Sequence, residues 1–288
     1  MHILSHCYSG TKPLRMLLGC LLFDCLLPGS SAWAQTPARN LMPDGSRDMY
    51  LGLGLISQAA YEGGGPTRQH ALGVLQVQTS NGFFVSGNQL GWHLSEQATK
   101  EYGPLLVLQE GRSASGSRTS VVGPGDGSNI AVPNANDGNR LADLETIPGR
   151  LLLGGFYHHA LASNVRWKNS LLYGAGTQRT GLQFTPELQY TFTLPHASIA
   201  LAAGLVWGNQ AYNQAYFGVP AGLALKAYQA DAGVKDIHLG VNWNVALNSS
   251  WLLTSSLKLT RLQGSAANSP LVQRRNATTL YSALAYRF

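Results

Sequence analysis

The chain has 288 residues, 44% of them hydrophobic and 33 of them glycine, but only 12% charged, about half the usual ~25% of soluble domains. That composition excludes an ordinary soluble domain, which needs a charged skin, and a disordered chain, which needs few apolar residues. A mean hydropathy of −0.04 also excludes a bundle of apolar helices of about 20 residues each.

At the N-terminus, Lys12 and Arg15 precede an apolar run from Met16 to Leu27, then Pro28, Gly29 and the small-residue site Ala32-Trp33-Ala34. A basic start, a short apolar core and an A-x-A site predict a secretory signal over 1–34, cleaved after Ala34. A competing reading is a lipobox, Leu17-Leu18-Gly19-Cys20, but the apolar run continues well past Cys20. Cys7, Cys20 and Cys25 all lie in this leader, so disulfide, zinc–thiolate and thiol-nucleophile chemistry are not expected of the mature chain. The net charge is +6, or +5 without the leader, and is scattered along the sequence. No nucleic-acid surface is implied.

Residues 35–47 read as a periplasmic N-terminal segment, and the rest, 48–288, as one all-β domain. Period-2 alternation runs through nearly all of it. Leu51, Leu53 and Leu55 alternate with Gly52 and Gly54; Leu182, Phe184, Leu188, Tyr190 and Phe192 with Gln183, Thr185, Glu187, Gln189 and Thr191; Ile237, Leu239, Val241 and Trp243 with His238, Gly240, Asn242 and Asn244. The chain-order set is 48–59, 70–79, 82–88, 89–94, 102–112, 149–160, 165–174, 182–194, 197–207, 233–247, 250–262 and 276–288. That makes twelve strands, or ten if 82–94 does not turn at Gly87-Asn88. Many match the 9–11 tilted residues that cross a bilayer. Aromatics such as Trp251, Tyr190, Phe192 and Tyr286 sit near strand ends, as an interfacial girdle requires.

Short links, such as Ser80–Gly82 and Pro195-His196, alternate with long ones at about 113–147, 208–230 and 263–275. The pattern predicts a transmembrane antiparallel up-and-down β-barrel in an outer membrane, with short periplasmic turns and long outer loops. The polar faces are mostly Gly, Ser, Thr, Asn and Gln, so the lumen is expected to be neutral. The terminal Phe288, with Tyr286, Leu284 and Leu280 at alternate positions, resembles the signal read by the barrel assembly machinery.

Catalytic signals are sparse. His158 and His159 are adjacent and so on opposite faces, which suggests interfacial packing. His238 and Ser256 both fall on lumen faces of neighbouring strands, where a barrel hydrolase could use a Ser–His pair. Gly111–Ser115 lacks the last glycine of a nucleophile elbow. Asp126, Asn129 and Asp137 fit no calcium-loop spacing. No cofactor and no metal are expected.

Several motifs resemble the MipA/OmpV family of outer-membrane proteins. They are Tyr216-Phe217-Gly218-Val219; Tyr228 followed by Ala232-Gly233-Val234-Lys235-Asp236; Ser269-Pro270-Leu271-Val272; and the closing Tyr286-Arg287-Phe288, with Leu51–Gly54 and Tyr61-Glu62-Gly63 near the start. The resemblance implies a non-enzymatic scaffold that joins a lytic transglycosylase to a bifunctional penicillin-binding protein in peptidoglycan assembly. A porin-like channel is the alternative. On the residues themselves, Tyr216–Val219 is either a plug packed into the barrel mouth or a docking surface, and Ser269-Pro270 a structural turn.

Overall fold

The computed structural model describes residues 49–95, 97, 99–109, 111–113, 121–124, 141 and 143–288. The expected leader, residues 35–47, Ser115, Asp126, Asn129 and Asp137 lie outside them. The strands in chain order are β1 (Tyr50–Ala59), β2 (Thr67–Gln78), β3 (Phe83–Ser86), β4 (Gln89–Trp92), β5 (Lys100–Gln109), β6 (Val121–Val122), β7 (Arg150–Ala160), β8 (Val165–Ala175), β9 (Gly181–Leu194), β10 (Ala197–Gly208), β11 (Gly233–Ala246), β12 (Trp251–Leu262) and β13 (Asn276–Arg287). Helix α1 (Gln210–Phe217) follows β10, and the single turn α2 (Gly264–Ala267) follows β12.

Each wall strand pairs antiparallel with its neighbours, and β1 pairs with both β2 and β13, so the sheet closes. Twelve of the described strands form the wall; β6 is an addition to it. Closure leaves no edge and satisfies the backbone internally, the condition for a sheet to stand in hydrocarbon. At the seam Leu51, Leu53 and Leu55 point outward and are exposed, while Gly52 and Gly54 point inward against Ala285 and Ala283. A Cβ on Gly54 would lie 2.4 Å from that of Ala283, so glycine is what lets the first and last strands meet there.

The segment 82–94 does turn at Gly87-Asn88, but β3 and β4 are only four residues each. At ~3.3 Å per residue they rise about 13 Å, and β3 covers only Gln76–Gln78 of β2. Above them the long connection after β5 returns: β6 runs parallel to β2 at Gly73-Val74. Val122 is buried with the lumen-facing Ile56, Leu72, Val74 and Tyr281, and the Tyr281 hydroxyl donates to the Gly123 carbonyl at 3.4 Å. The described part of the expected outer loop 113–147 therefore includes a stretch tucked inside the barrel. Apolar Val122 is buried there because the short hairpin leaves the β2 edge without a partner at that height.

Links at the end holding the first and last barrel residues are short, for instance 161–164 and 195–196; those at the other end carry α1 and α2. By the usual asymmetry the former face the periplasm.

Leu53, 76% exposed in mid-strand, stands on the outer face of the wall. Leu53→Arg is expected to destabilise the folded barrel by about 2–4 kcal/mol. Gly240→Ser, on the lumen face where a Cβ meets nothing nearer than 3.7 Å, should change stability little. Urea titration of the reconstituted protein measures both.

Candidate functional site

The lumen is charged, contrary to the neutral interior expected from the sequence. Facing inward, Lys168 on β8 pairs with Glu187 on β9 (3.1 Å), Glu187 with His238 Nε2 on β11 (3.4 Å), and His238 Nδ1 with Asp236 (3.3 Å). Asp236 and Glu62 flank the Lys235 ammonium at 3.2 and 2.5 Å. A second group holds Glu101 on β5 against His158 on β7 and Arg166 on β8, each at 3.4 Å. Charge excluded from the lipid face is gathered inside, where each described member of these groups has an opposite or titratable partner. Burial makes such pairing obligatory.

Two backbone features make the belt continuous. Glu187, Gly204 and His238 lie in register on β9, β10 and β11, so Glu187 and His238 are separated by a whole strand. They meet because Gly204 has no side chain: a Cβ there would come within 2.7 Å of His238 Nε2. On the same strand pair the register shifts, with Val206 opposite Asp236 and Trp207 opposite Val234. The extra residue is Lys235, and this bulge lets adjacent Lys235 and Asp236 both bury their side chains.

Above the belt the barrel mouth is filled by its own loops. Asn209 caps α1, its Oδ1 accepting from Tyr212 N at 2.9 Å. Tyr212 then projects among Leu105, Val107, Leu152 and Leu172 of the wall, with the Lys235 ammonium 5.6 Å from its ring centre. Burial raises the Tyr212 phenol well above its usual range and pushes Tyr216 up to about 12. Arg112 stacks on the Tyr216 ring (5.9 Å) and donates to the Tyr216 carbonyl at 2.7 Å. Burial lowers the pKa of its guanidinium.

The loops are tied to one another. Ser269 Oγ donates to the Phe217 carbonyl at 2.6 Å, the Tyr61 hydroxyl to Leu271 O at 3.0 Å, and the Tyr228 hydroxyl to Ser265 O at 2.7 Å. Val219 and Tyr228 form a two-residue bridge.

The family model described as MltA-interacting protein MipA matches residues 51–288. The chain belongs to the MipA family. Outer membrane protein Omp26La of Vibrio anguillarum is 34% identical over 89 residues, a match covering 30% of this chain and 34% of that protein. The chain thus matches about a third of that relative's length. Among solved structures, an outer membrane channel from Pseudomonas putida F1 is 13% identical with a TM-score of 0.39, covering 86% of this chain and 99% of that one. The outer membrane channel DcaP of Acinetobacter baumannii is 8% identical with a TM-score of 0.36 over the same shares. The MipA-family barrel is an outer-membrane protein.

Four of the motifs that carry the family resemblance, 61–63, 216–219, 228–236 and 269–272, converge at the outer mouth. Glu62 of the first of these reaches Lys235 of another. Phe217 and Val219 are 1% and 2% exposed and pack beneath the loop containing Leu271, Gly218 closes α1, and Tyr216 lies under Arg112. Buried Ser269 begins the turn through Pro270 that Leu271 N closes by bonding its Oγ at 3.2 Å. Tyr286 and Phe288 sit at the opposite end. Tyr286 stacks edge-on with Trp251 at 5.2 Å, and Phe288 N bonds Met49 O at 3.1 Å.

Besides the neutral lumen, two expectations differ from the structure. Ser256 faces Asn242, whereas His238 faces Thr260. Four residues of strand, about 13 Å, separate the supposed nucleophile from its base, because lumen-facing residues share a side without sharing a level. His158 is not an interfacial packing residue but part of the lumenal Glu101 group; only His159 stands on the outer face, near Tyr157. The Glu101–Arg166 and Glu187–His238 groups were not found from sequence, since nothing in period-2 alternation fixes register across strands.

Ser269→Ala removes the tie to Phe217 and should cost about 1–3 kcal/mol locally, read as faster proteolysis in 209–232 with the wall unchanged. Gly204→Leu drives His238 from Glu187 and is expected to cost about 3–5 kcal/mol, read as a lower urea midpoint.

Proposed function

We propose that this barrel is a non-catalytic outer-membrane scaffold that brings a lytic transglycosylase and a bifunctional penicillin-binding protein together at the peptidoglycan layer. The family match over 51–288 carries the reading. The geometry supports it indirectly: loops tied by buried hydrogen bonds occupy the outer mouth, which suits an anchor better than an open conduit, and the candidate Ser–His pair is not assembled. In this reading Tyr216–Val219 and Ser269-Pro270 hold the plug. The terminal Tyr286 and Phe288 address the chain to the barrel assembly machinery, and the leucine-rich outer face meets outer-membrane lipid.

A scaffold for peptidoglycan enzymes must present its contacts on the periplasmic side. Photoreactive residues at Asn81, Ser163 and Ser249 in growing cells are therefore expected to capture a lytic transglycosylase and a penicillin-binding protein, while a probe at the outer-loop position Thr177 captures neither. Recovery of neither enzyme from any turn position would overturn the proposal.

A further inference from the structure

Against the Lys168–Glu187 end of the charge belt lies a cavity of about 310 Å³, at the small end of ligand sites. Its lining runs from the periplasmic ends of the strands (Gln78, Glu101, His158, Arg166) to beyond mid-strand (Leu105, Leu172, Thr185). The same groups that pair with one another also face the cavity, and they do so unequally. The side chains of Arg166 and Lys168 are 29% and 28% exposed, those of their partners Glu101 and Glu187 10% and 6%. The cavity surface therefore presents cations with their carboxylates set behind them.

Two further wall atoms have no partner among the described residues: Glu101 Oε1, an acceptor, and Gln78 Nε2, a donor. Buried polar groups left this way are costly unless something bonds them. Around them stand side-chain amides, Gln76, Gln89 and Gln189 among them, and beside them is an apolar face where Phe84 and Phe156 meet edge-on at 5.7 Å.

The geometry points to a lumenal binding site for an acidic sugar: one carboxylate for Arg166 and Lys168, hydroxyls that donate to Glu101 Oε1, an acceptor for Gln78 Nε2, and an amide group for the Gln side chains. The ring's apolar side lies on Phe84 and Phe156. Glu101 and Glu187 behind the cations disfavour a dianion such as phosphate and favour a single carboxylate. That the sugar derives from peptidoglycan, whose N-acetylated, lactyl-bearing residue has this set of groups once its stem peptide has been removed, rests on the scaffold reading; the acidic-sugar site itself does not.

Isothermal titration of the detergent-solubilised barrel with N-acetylmuramic acid, N-acetylglucosamine and glucuronate tests both. Saturable binding of N-acetylmuramic acid is expected, at least tenfold weaker for the uncharged N-acetylglucosamine. Arg166→Gln should weaken it by about tenfold or more, as loss of a charge-assisted contact does, with heat-modifiable gel migration reporting that the variant is folded. Should the variant fail to fold, the comparison between the charged and uncharged sugars on the wild-type barrel still decides. No saturable binding at millimolar concentrations, equal binding of N-acetylglucosamine, or unchanged binding in folded Arg166→Gln would overturn the site. Glucuronate binding as tightly as N-acetylmuramic acid would keep the acidic-sugar site but overturn its peptidoglycan source. Failure of the crosslinking experiment would remove the scaffold and leave these titrations standing.

Discussion

Hydrocarbon offers no hydrogen bonds, and every other feature of this molecule follows from that. The backbone must close on itself, which requires β1 to meet β13. The outward positions must be apolar, as Leu51, Leu53, Leu151 and Leu239 are. Charged side chains are then left with the loops and the lumen, and in the lumen they are buried. Once buried they must pair. The low charge content of the sequence and the dense ion pairing of the interior are two consequences of one solvent.

Pairing across a curved sheet needs reach, and the wall supplies it by omission and by irregularity. Where Gly204 lacks a side chain, two residues a strand apart come into contact; where β11 gains a residue, Lys235 joins its neighbour Asp236 inside. Lys235 then couples wall to lid. It contacts Glu62 of the first outer loop and lies against Tyr212 of the plug. The outer loops are thus held from beneath by charge and from the side by the Ser269, Tyr61 and Tyr228 hydrogen bonds. A MipA-family barrel built this way keeps a lumenal cavity beneath loops that fill its mouth.

The wall was legible in the sequence because alternation is local. Leu182–Leu194 and Ile237–Leu247 announce their faces within a few residues, and even the brief hairpin at Gly87-Asn88 shows its turn. What alternation cannot express is register. Glu187 and His238 are 51 positions apart and meet through the phase of two strand pairings; Ser256 and His238 fail to meet for the same reason. Composition also misled on the lumen, since a few charges look negligible in a count yet are concentrated in one small volume. Likewise Val121-Val122, apolar in a Gly/Ser-rich stretch, signals burial but not that its partner is the edge of β2.

Paired charges and interlocked loops close the barrel from the outer side, and planar-bilayer recording reads that closure. The wild-type barrel should show no steady conductance, and replacing 209–231 with a short Gly-Ser link should open a stable pore. A steady ohmic current through the wild-type protein, unchanged by that replacement, would contradict the account.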